Sequence, residues 1–164
     1  MPHPHIDVSI ASLATPTDLT AFREINEDWI SRLFTLTDED RRLLADPIGQ
    51  IVRPGGDVLI AHDASGEAVG CVALVSYGDG IFELAKMGVT PSAQGAGIGR
   101  RLIDAAIRRG TELGGRRLFL GTSTRLEAAV HLYEAAGFHR ITRDRLPVAD
   151  YYARADILME ISLE

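Results

Sequence analysis

The chain has 164 residues, 46% of them apolar and 24% charged, with a formal net charge of −6. That length suits one domain around one core, so residues 1–164 are expected to form a single domain. The acidic balance argues against a general nucleic-acid surface. No apolar run approaches the roughly 18 residues needed to span a bilayer, and the N-terminal MPHPHIDVSI lacks the basic-then-apolar pattern of a secretory signal. Cys71 is the only cysteine and sits in an apolar run, so it reads as a buried, inert thiol. Without a possible intrachain disulfide, a cytoplasmic protein is the expectation.

Ile6 to Leu13 alternate and predict a first strand. Pro16 and Thr17 precede a helix whose Phe22, Ile25, Trp29, Leu33 and Leu36 recur at three- and four-residue steps. Thr37-Asp38-Glu39-Asp40 looks like a cap for a short helix to Ala45, ended by Asp46-Pro47. Val58–His62, Ala68–Tyr77 and Ile81–Val89 then read as an antiparallel meander separated by turn residues. A helix from Ile98 to Leu113 closes at Gly114-Gly115. The short strand Arg117–Leu120 should lie parallel to the strand at 81–89, because a helix separates the two. Thr124-Arg125-Leu126-Glu127 reads as a capping box for a helix ending at Gly137. Phe138–Thr142 and Ala155–Leu163 are the last expected strands, with an irregular segment between them.

The stretch IFELAKMGVTPSAQGAGIGRRLI, residues 81–103, organises the rest. A strand is stopped by Thr90-Pro91, three glycines follow at alternate positions (Gly95, Gly97, Gly99), and a helix starts at once. Strand, glycine loop and helix N-terminus make an anion cradle, because glycine lets the backbone turn and first-turn N–H groups point outward. Arg100 and Arg101 add positive charge. This reads as a site for a pyrophosphate-containing cofactor. The dinucleotide fingerprint G-x-G-x-x-G and the G-x-x-x-x-G-K-[ST] loop both fail on spacing and context.

Gln94-Gly95-Ala96-Gly97-Ile98-Gly99 resembles motif A of the GNAT superfamily of N-acetyltransferases. The preceding strand Leu84–Pro91 and the later helix Ala129–Phe138 match as well, and the order of elements matches across nearly the whole chain. The resemblance implies an α/β (α+β) fold: a mixed, mostly antiparallel twisted sheet flanked by helices on both faces. It implies acetyl-CoA or a related acyl-CoA as donor, with the pyrophosphate on the N–H groups from Gly95 through Ala96, Gly97, Ile98 and Gly99 to Arg100, next to Gln94. The pantetheine arm would pair with the strand backbone at Met87, Gly88 and Val89. The family often has asparagine where Leu126 stands, which removes one polar cofactor contact.

In such a family a primary amine, here of a small molecule or peptide, attacks directly, without an acyl-enzyme. The resemblance makes Tyr133 the general acid at the departing sulfur and Glu83 the general base acting through a water, with the Met87 N–H as oxyanion donor. Packing is the plainer role for the tyrosine, and a solvent-facing position or a partnership with Lys86 for the glutamate. The acceptor pocket would fall to the first two helices: Asn26, Trp29, Phe34 and Arg32, with Tyr151 and Tyr152 at its border. A core position is the commoner role for a tryptophan. His62, His131 and His139 lack a zinc spacing, no metal is expected, and His3 and His5 are assigned to a disordered terminus. Homodimers are common in the superfamily. The rival readings are a non-catalytic acyl-CoA-binding sensor or partner module, which would need neither Glu83 nor Tyr133, and a toxin-like or tRNA-modifying acetyltransferase, against which the acidic charge weighs.

Overall fold

The computed structural model describes residues 6–164, so His3 and His5 lie outside the described residues. In chain order the elements are strand β1 (Val8–Ser12), helices α1 (Pro16–Leu33) and α2 (Asp38–Ala45), strands β2 (Asp57–Asp63), β3 (Ala68–Ser76) and β4 (Ile81–Val89), helix α3 (Ile98–Glu112), strand β5 (Arg117–Thr122), helix α4 (Glu127–Ala136), and strands β6 (His139–Arg140) and β7 (Ile157–Ser162). They form one seven-stranded sheet in the order β1-β2-β3-β4-β5-β7-β6. Every neighbouring pair is antiparallel except β4 and β5, which are parallel as the intervening helix requires.

Each face of the sheet buries its own helices. On one face Leu102, Ile103 and Ala106 of α3 meet Val72, Leu74, Leu84, Leu118 and Leu120. On the other, Phe22 and Ile25 of α1 and Leu43 and Leu44 of α2 meet Val58, Ile60, Cys71 and Ala73. Tyr151 and Ala155, from the irregular segment before β7, cover Phe119 and Leu158. No helix among the described residues is long and apolar enough to cross a membrane.

Local chemistry sets the helix ends, and three expectations need correction. α1 begins at Pro16, because Thr15 is the cap: its hydroxyl accepts from the Asp18 N–H at 3.1 Å and Asp18 returns a bond to the Thr15 N–H at 3.3 Å. The reciprocal box at Thr37 and Asp40 forms as expected. The box at Thr124 does not. Its N–H and hydroxyl both go to the Asp156 carboxylate, at 2.9 and 3.1 Å, so residues Thr124–Leu126 make a separate short turn and α4 starts without a side-chain cap. The strand expected at 138–142 shrinks to His139–Arg140, because Phe138 turns into the core against Tyr133, ring centroids 5.8 Å apart.

The sheet is irregular in β4. Ala73 pairs with Ala85 and Cys71 with Gly88, so Lys86 and Met87 together oppose Val72. That is a β-bulge, and Lys86 takes the left-handed φ of 54° that such an inserted residue often needs. Because side chains alternate along a strand, one extra residue resets the faces. Phe82, Leu84, Met87 and Val89 lie on the α3 side, while Glu83, Lys86 and Gly88 lie on the side of α1 and α2.

The bulge aims Lys86, the chain's only lysine, at the first turn of α2. Its Nζ donates to Asp40 at 2.7 Å, and Arg154 donates to both oxygens of the same carboxylate at 2.7 Å each. Asp40 has no exposed surface. Burial alone would raise its pKa, but the Arg154 bonds, the Lys86 charge and bond and the Thr37 N–H outweigh that and hold the carboxyl well below its ordinary value of 3.8. The folded state therefore holds this proton less tightly than the unfolded chain does. The stabilisation is complete above pH 3.8 and is lost as pH falls below it. Asp40→Asn should cost about 3–5 kcal/mol at neutral pH by leaving the buried Lys86 and the half-buried Arg154 without a counter-charge. Urea denaturation of both proteins at pH 7 and pH 3 should show that gap narrowing in acid.

Candidate functional site

Pairing between β4 and β5 runs only from Ile81–Arg117 to Glu83–Phe119. Beyond Glu83 the strands separate, and a cleft of about 470 Å³ opens between them, floored by Leu84–Val89 and walled by Gly121 and Thr122 of β5, Trp29 of α1 and Tyr133 of α4. Met87, Gly88 and Val89 thus present backbone to an open space, and Gln94 and Gly99 lie at its end.

A second hollow of about 440 Å³ adjoins that end, lined by Val89, Gln94, Gly95, Gly97, Ile98, Gly99, Arg100 and Leu132. Gly95 and Gly97 have φ of 82° and 80°, a conformation that other residues adopt at a cost. A Cβ at Gly97 would meet nothing within 4 Å, so the hollow is open above it. No side chain caps α3, which leaves its first-turn N–H groups facing outward with the positive end of the helix dipole behind them. Three of the expected residues contribute differently. The Ile98 side chain is in the core, leaving its backbone for the hollow, and Ala96 packs against that same core. The Gln94 amide donates to the Val89 carbonyl at 3.2 Å and so braces the loop.

At the other end the cleft runs into a smaller chamber of about 70 Å³, with which it shares Trp29, Leu84, Ala85, Lys86, Gly121, Thr122 and Leu126. Glu83 lines it, 3% exposed, and accepts hydrogen bonds from Tyr151 and, at 3.2 Å, from Tyr77. Burial raises its pKa above the ordinary 4.5, and the Tyr151 bond, the Lys86 charge and the Tyr77 bond offset this only in part. Tyr133 lines the cleft with no hydrogen bond to any described residue, its phenol held well above its ordinary pKa by burial. Cys71 is fully buried behind the sheet and its thiol is pushed up to about 12, so it offers no thiolate at neutral pH.

Asn26 does not face the chamber. It has no exposed surface; its amide donates to the Phe22 carbonyl at 2.9 Å and to Cys71 Sγ at 3.4 Å, and its oxygen accepts from Trp29 Nε1 at 2.9 Å. It therefore fixes the indole instead of touching a ligand. Trp29 itself lines both cleft and chamber. The indole lies so close to Gly88 that a Cβ there would meet it at 2.9 Å. Phe34, Tyr151 and Tyr152 line the chamber, and Arg32 lines the cleft.

The residues that sequence reasoning missed are Asp40, Tyr77, Lys86 and Arg154. Only Lys86 carried a signal: a lone lysine inside an apolar strand. It does not pair with Glu83 but with Asp40 and, at 3.2 Å, with the Tyr152 hydroxyl. Among the described residues there is no cluster of three or more side chains able to hold a metal.

Comparison with known proteins agrees with this geometry. The family model described as "Acetyltransferase (GNAT) family" matches residues 20–138. An uncharacterized N-acetyltransferase of Schizosaccharomyces pombe is 30% identical over 138 residues, covering 80% of this chain and 83% of that protein. Several other curated relatives are longer, and the chain spans only 30%, 30% and 33% of three of them. A GNAT-family acetyltransferase from Staphylococcus aureus Mu50 superposes with a TM-score of 0.86 at 20% identity, over 96% of this chain and all of that one. Salmonella typhimurium yncA, solved with acetyl-CoA, gives 0.72 at 20% identity, over 96% and 95%. The open cleft between β4 and β5, the glycine hollow at its end and the match to the family model across most of the chain lead to one assignment: this chain belongs to the acetyltransferase (GNAT) family and is an N-acetyltransferase.

Proposed function

We propose that the protein transfers an acetyl group from acetyl-CoA to the amine of a small molecule, by direct attack inside the cleft between β4 and β5. The observation that carries the reading is the separation of those strands after Glu83, which opens a cleft from a capless helix N-terminus at one end to a buried carboxyl at the other. The residues present fit an acyl-CoA. Outward N–H groups between Gly95 and Arg100 suit a pyrophosphate, and the β4 backbone at Met87, Gly88 and Val89 suits an amide-bearing arm that adds to the strand edge. When bound, the cofactor supplies an activated acetyl group on a thiol leaving group. Cytoplasmic residence belongs to the same reading, supported by the single buried thiol.

The chain's own groups then divide the work. Glu83 takes the proton that the amine loses as the nitrogen–carbon bond forms. Its raised pKa strengthens it as a base, and the two tyrosines hold its orientation. The Met87 N–H receives the charge that develops on the carbonyl oxygen. Tyr133 stays protonated at neutral pH and donates its unshared hydroxyl hydrogen as the carbon–sulfur bond breaks. Trp29, held by Asn26, closes one wall against water.

Acetyl-CoA at a hundred times its Kd should stabilise the protein by about 2.7 kcal/mol, read as a rise in Tm. Gly97→Glu should abolish the rise, because it puts a side chain at positive φ and a negative charge in the hollow; an unchanged shift would refute the placement. Tyr133→Phe should lower kcat by about 10²-fold or more with cofactor affinity kept. Because the basic form of Glu83 is the active one, kcat/KM should climb with pH along a limb lying above pH 4.5. Glu83→Gln should remove that limb in a pH–rate profile.

A further inference from the structure

The chamber is polarised along a row of contacts. At one end the Glu83 carboxyl is held by Tyr151. The Tyr151 ring lies 5.3 Å from that of Tyr152, the Arg154 guanidinium lies 4.7 Å from the Tyr152 ring and 5.6 Å from Phe34, and Arg125 lies 5.0 Å from Phe34. A carboxyl thus stands at one end of the chamber's aromatic row and the Arg154 guanidinium at the other, with Arg125 on Phe34 just outside the chamber's lining.

The arginine end carries positive charge in excess. Asp40 is the carboxylate bonded to these cations, and it already answers both Lys86 and Arg154. Arg125 has no ion pair among the described residues, whereas Arg32, lower in the cleft, is balanced by Asp28 at 2.7 Å. Arg154 spends two N–H groups on Asp40 and one on the Thr35 carbonyl at 3.5 Å, out of the five a guanidinium offers. Donors and charge therefore remain for an anion, and guanidinium geometry suits a carboxylate. The chamber's volume of about 70 Å³ favours a small molecule over a protein segment.

We propose that the acceptor is a free amino acid, its amine at Glu83 and its carboxylate between Arg154 and Arg125. This deepens the reading of the protein as an acetyl-CoA-dependent N-acetyltransferase and rests on it. The Lys86–Asp40–Arg154 cluster then has a role beyond packing: it holds Arg154 in place while leaving donors of its guanidinium for the carboxylate.

The test uses the full chain with acetyl-CoA and follows free-thiol release. The panel pairs phenylalanine, methionine and leucine with their amides and adds spermidine as a wholly cationic amine. The free acids should be preferred over their amides roughly tenfold or more in kcat/KM, as expected for charge-assisted bonds to a carboxylate. Arg125→Met, at an exposed position that does not threaten folding, should raise KM for the acids about fivefold while the amides do not follow. Arg125→Lys should recover part of the loss. Arg154→Met should narrow the acid–amide gap further. A readout without turnover uses CoA in place of acetyl-CoA: phenylalanine should raise Tm and its amide should not. Equal use of amides, or preference for spermidine, overturns the amino-acid assignment and leaves the acetyltransferase reading standing. Silence across the whole panel, with acetyl-CoA still raising Tm, overturns both the amino-acid assignment and acetyl transfer to these amines.

Discussion

The extra residue in β4 is the constraint on which the site depends. Without the bulge opposite Val72, Lys86 would point toward α3, into a core of Leu102, Ile103 and Leu84. An unpaired ammonium there would be prohibitively costly. With the bulge, Lys86 turns toward α2 and finds Asp40 and Tyr152. The same insertion keeps Met87 and Val89 on the α3 side, and turns Gly88 toward Trp29. A left-handed φ at a residue other than glycine costs on the order of 1–3 kcal/mol, and here it is held by the packing that brings Lys86 to Asp40.

The two ends of the cleft are built from different materials. The hollow at Gly95–Arg100 is made of backbone: two left-handed glycines, a helix start without a side-chain cap, and strand edges released by the separation of β4 from β5. Backbone donors are fixed by the fold and need no ordering when an anion arrives. The chamber at Glu83 is made of side chains from distant parts of the chain, drawn together by Asp40. Glu83 and Asp40 are both buried carboxyls, and their environments push their proton affinities in opposite directions. Asp40 meets two cations and stays ionised. Glu83 meets two neutral phenols and is left with a desolvated carboxyl, the arrangement that suits a base.

That difference explains what could be read from the sequence. The meander, the strand–loop–helix at 81–112 and the helix ending at Gly137 depend on signals a few residues apart, and all three appear with nearly the expected bounds. The glycine spacing pointed to the turn and open hollow at Gly95–Arg100 for the same reason. The chamber depends on residues 40, 77, 83, 86, 151, 152 and 154, brought together by tertiary packing. Asp40 was hidden because a capping box with Thr37 already explains an aspartate there; the structure shows it doing both. Thr124 was misread by the same logic in reverse, since a cap motif is persuasive only while no better acceptor such as Asp156 lies nearby in space. Asn26 looked like a polar group on a pocket helix, and its partners Phe22, Cys71 and Trp29 are visible only once α1 lies on β3.

Trp29 joins the two ends. Its indole rests over Gly88, where a methyl group would collide with it, and lines both the cleft and the chamber. Its position depends on one buried amide, since Asn26 accepts from the indole while its own NH₂ is satisfied by the α1 backbone and Cys71. The glycine that leaves strand backbone facing the cleft thus also allows an aromatic wall to approach that backbone, and a residue with no access to the cleft sets the wall's angle. In the proposed reaction, specificity for the acceptor would be distributed over side chains that touch it and side chains that do not, whereas recognition of the donor would be concentrated in one short stretch of backbone.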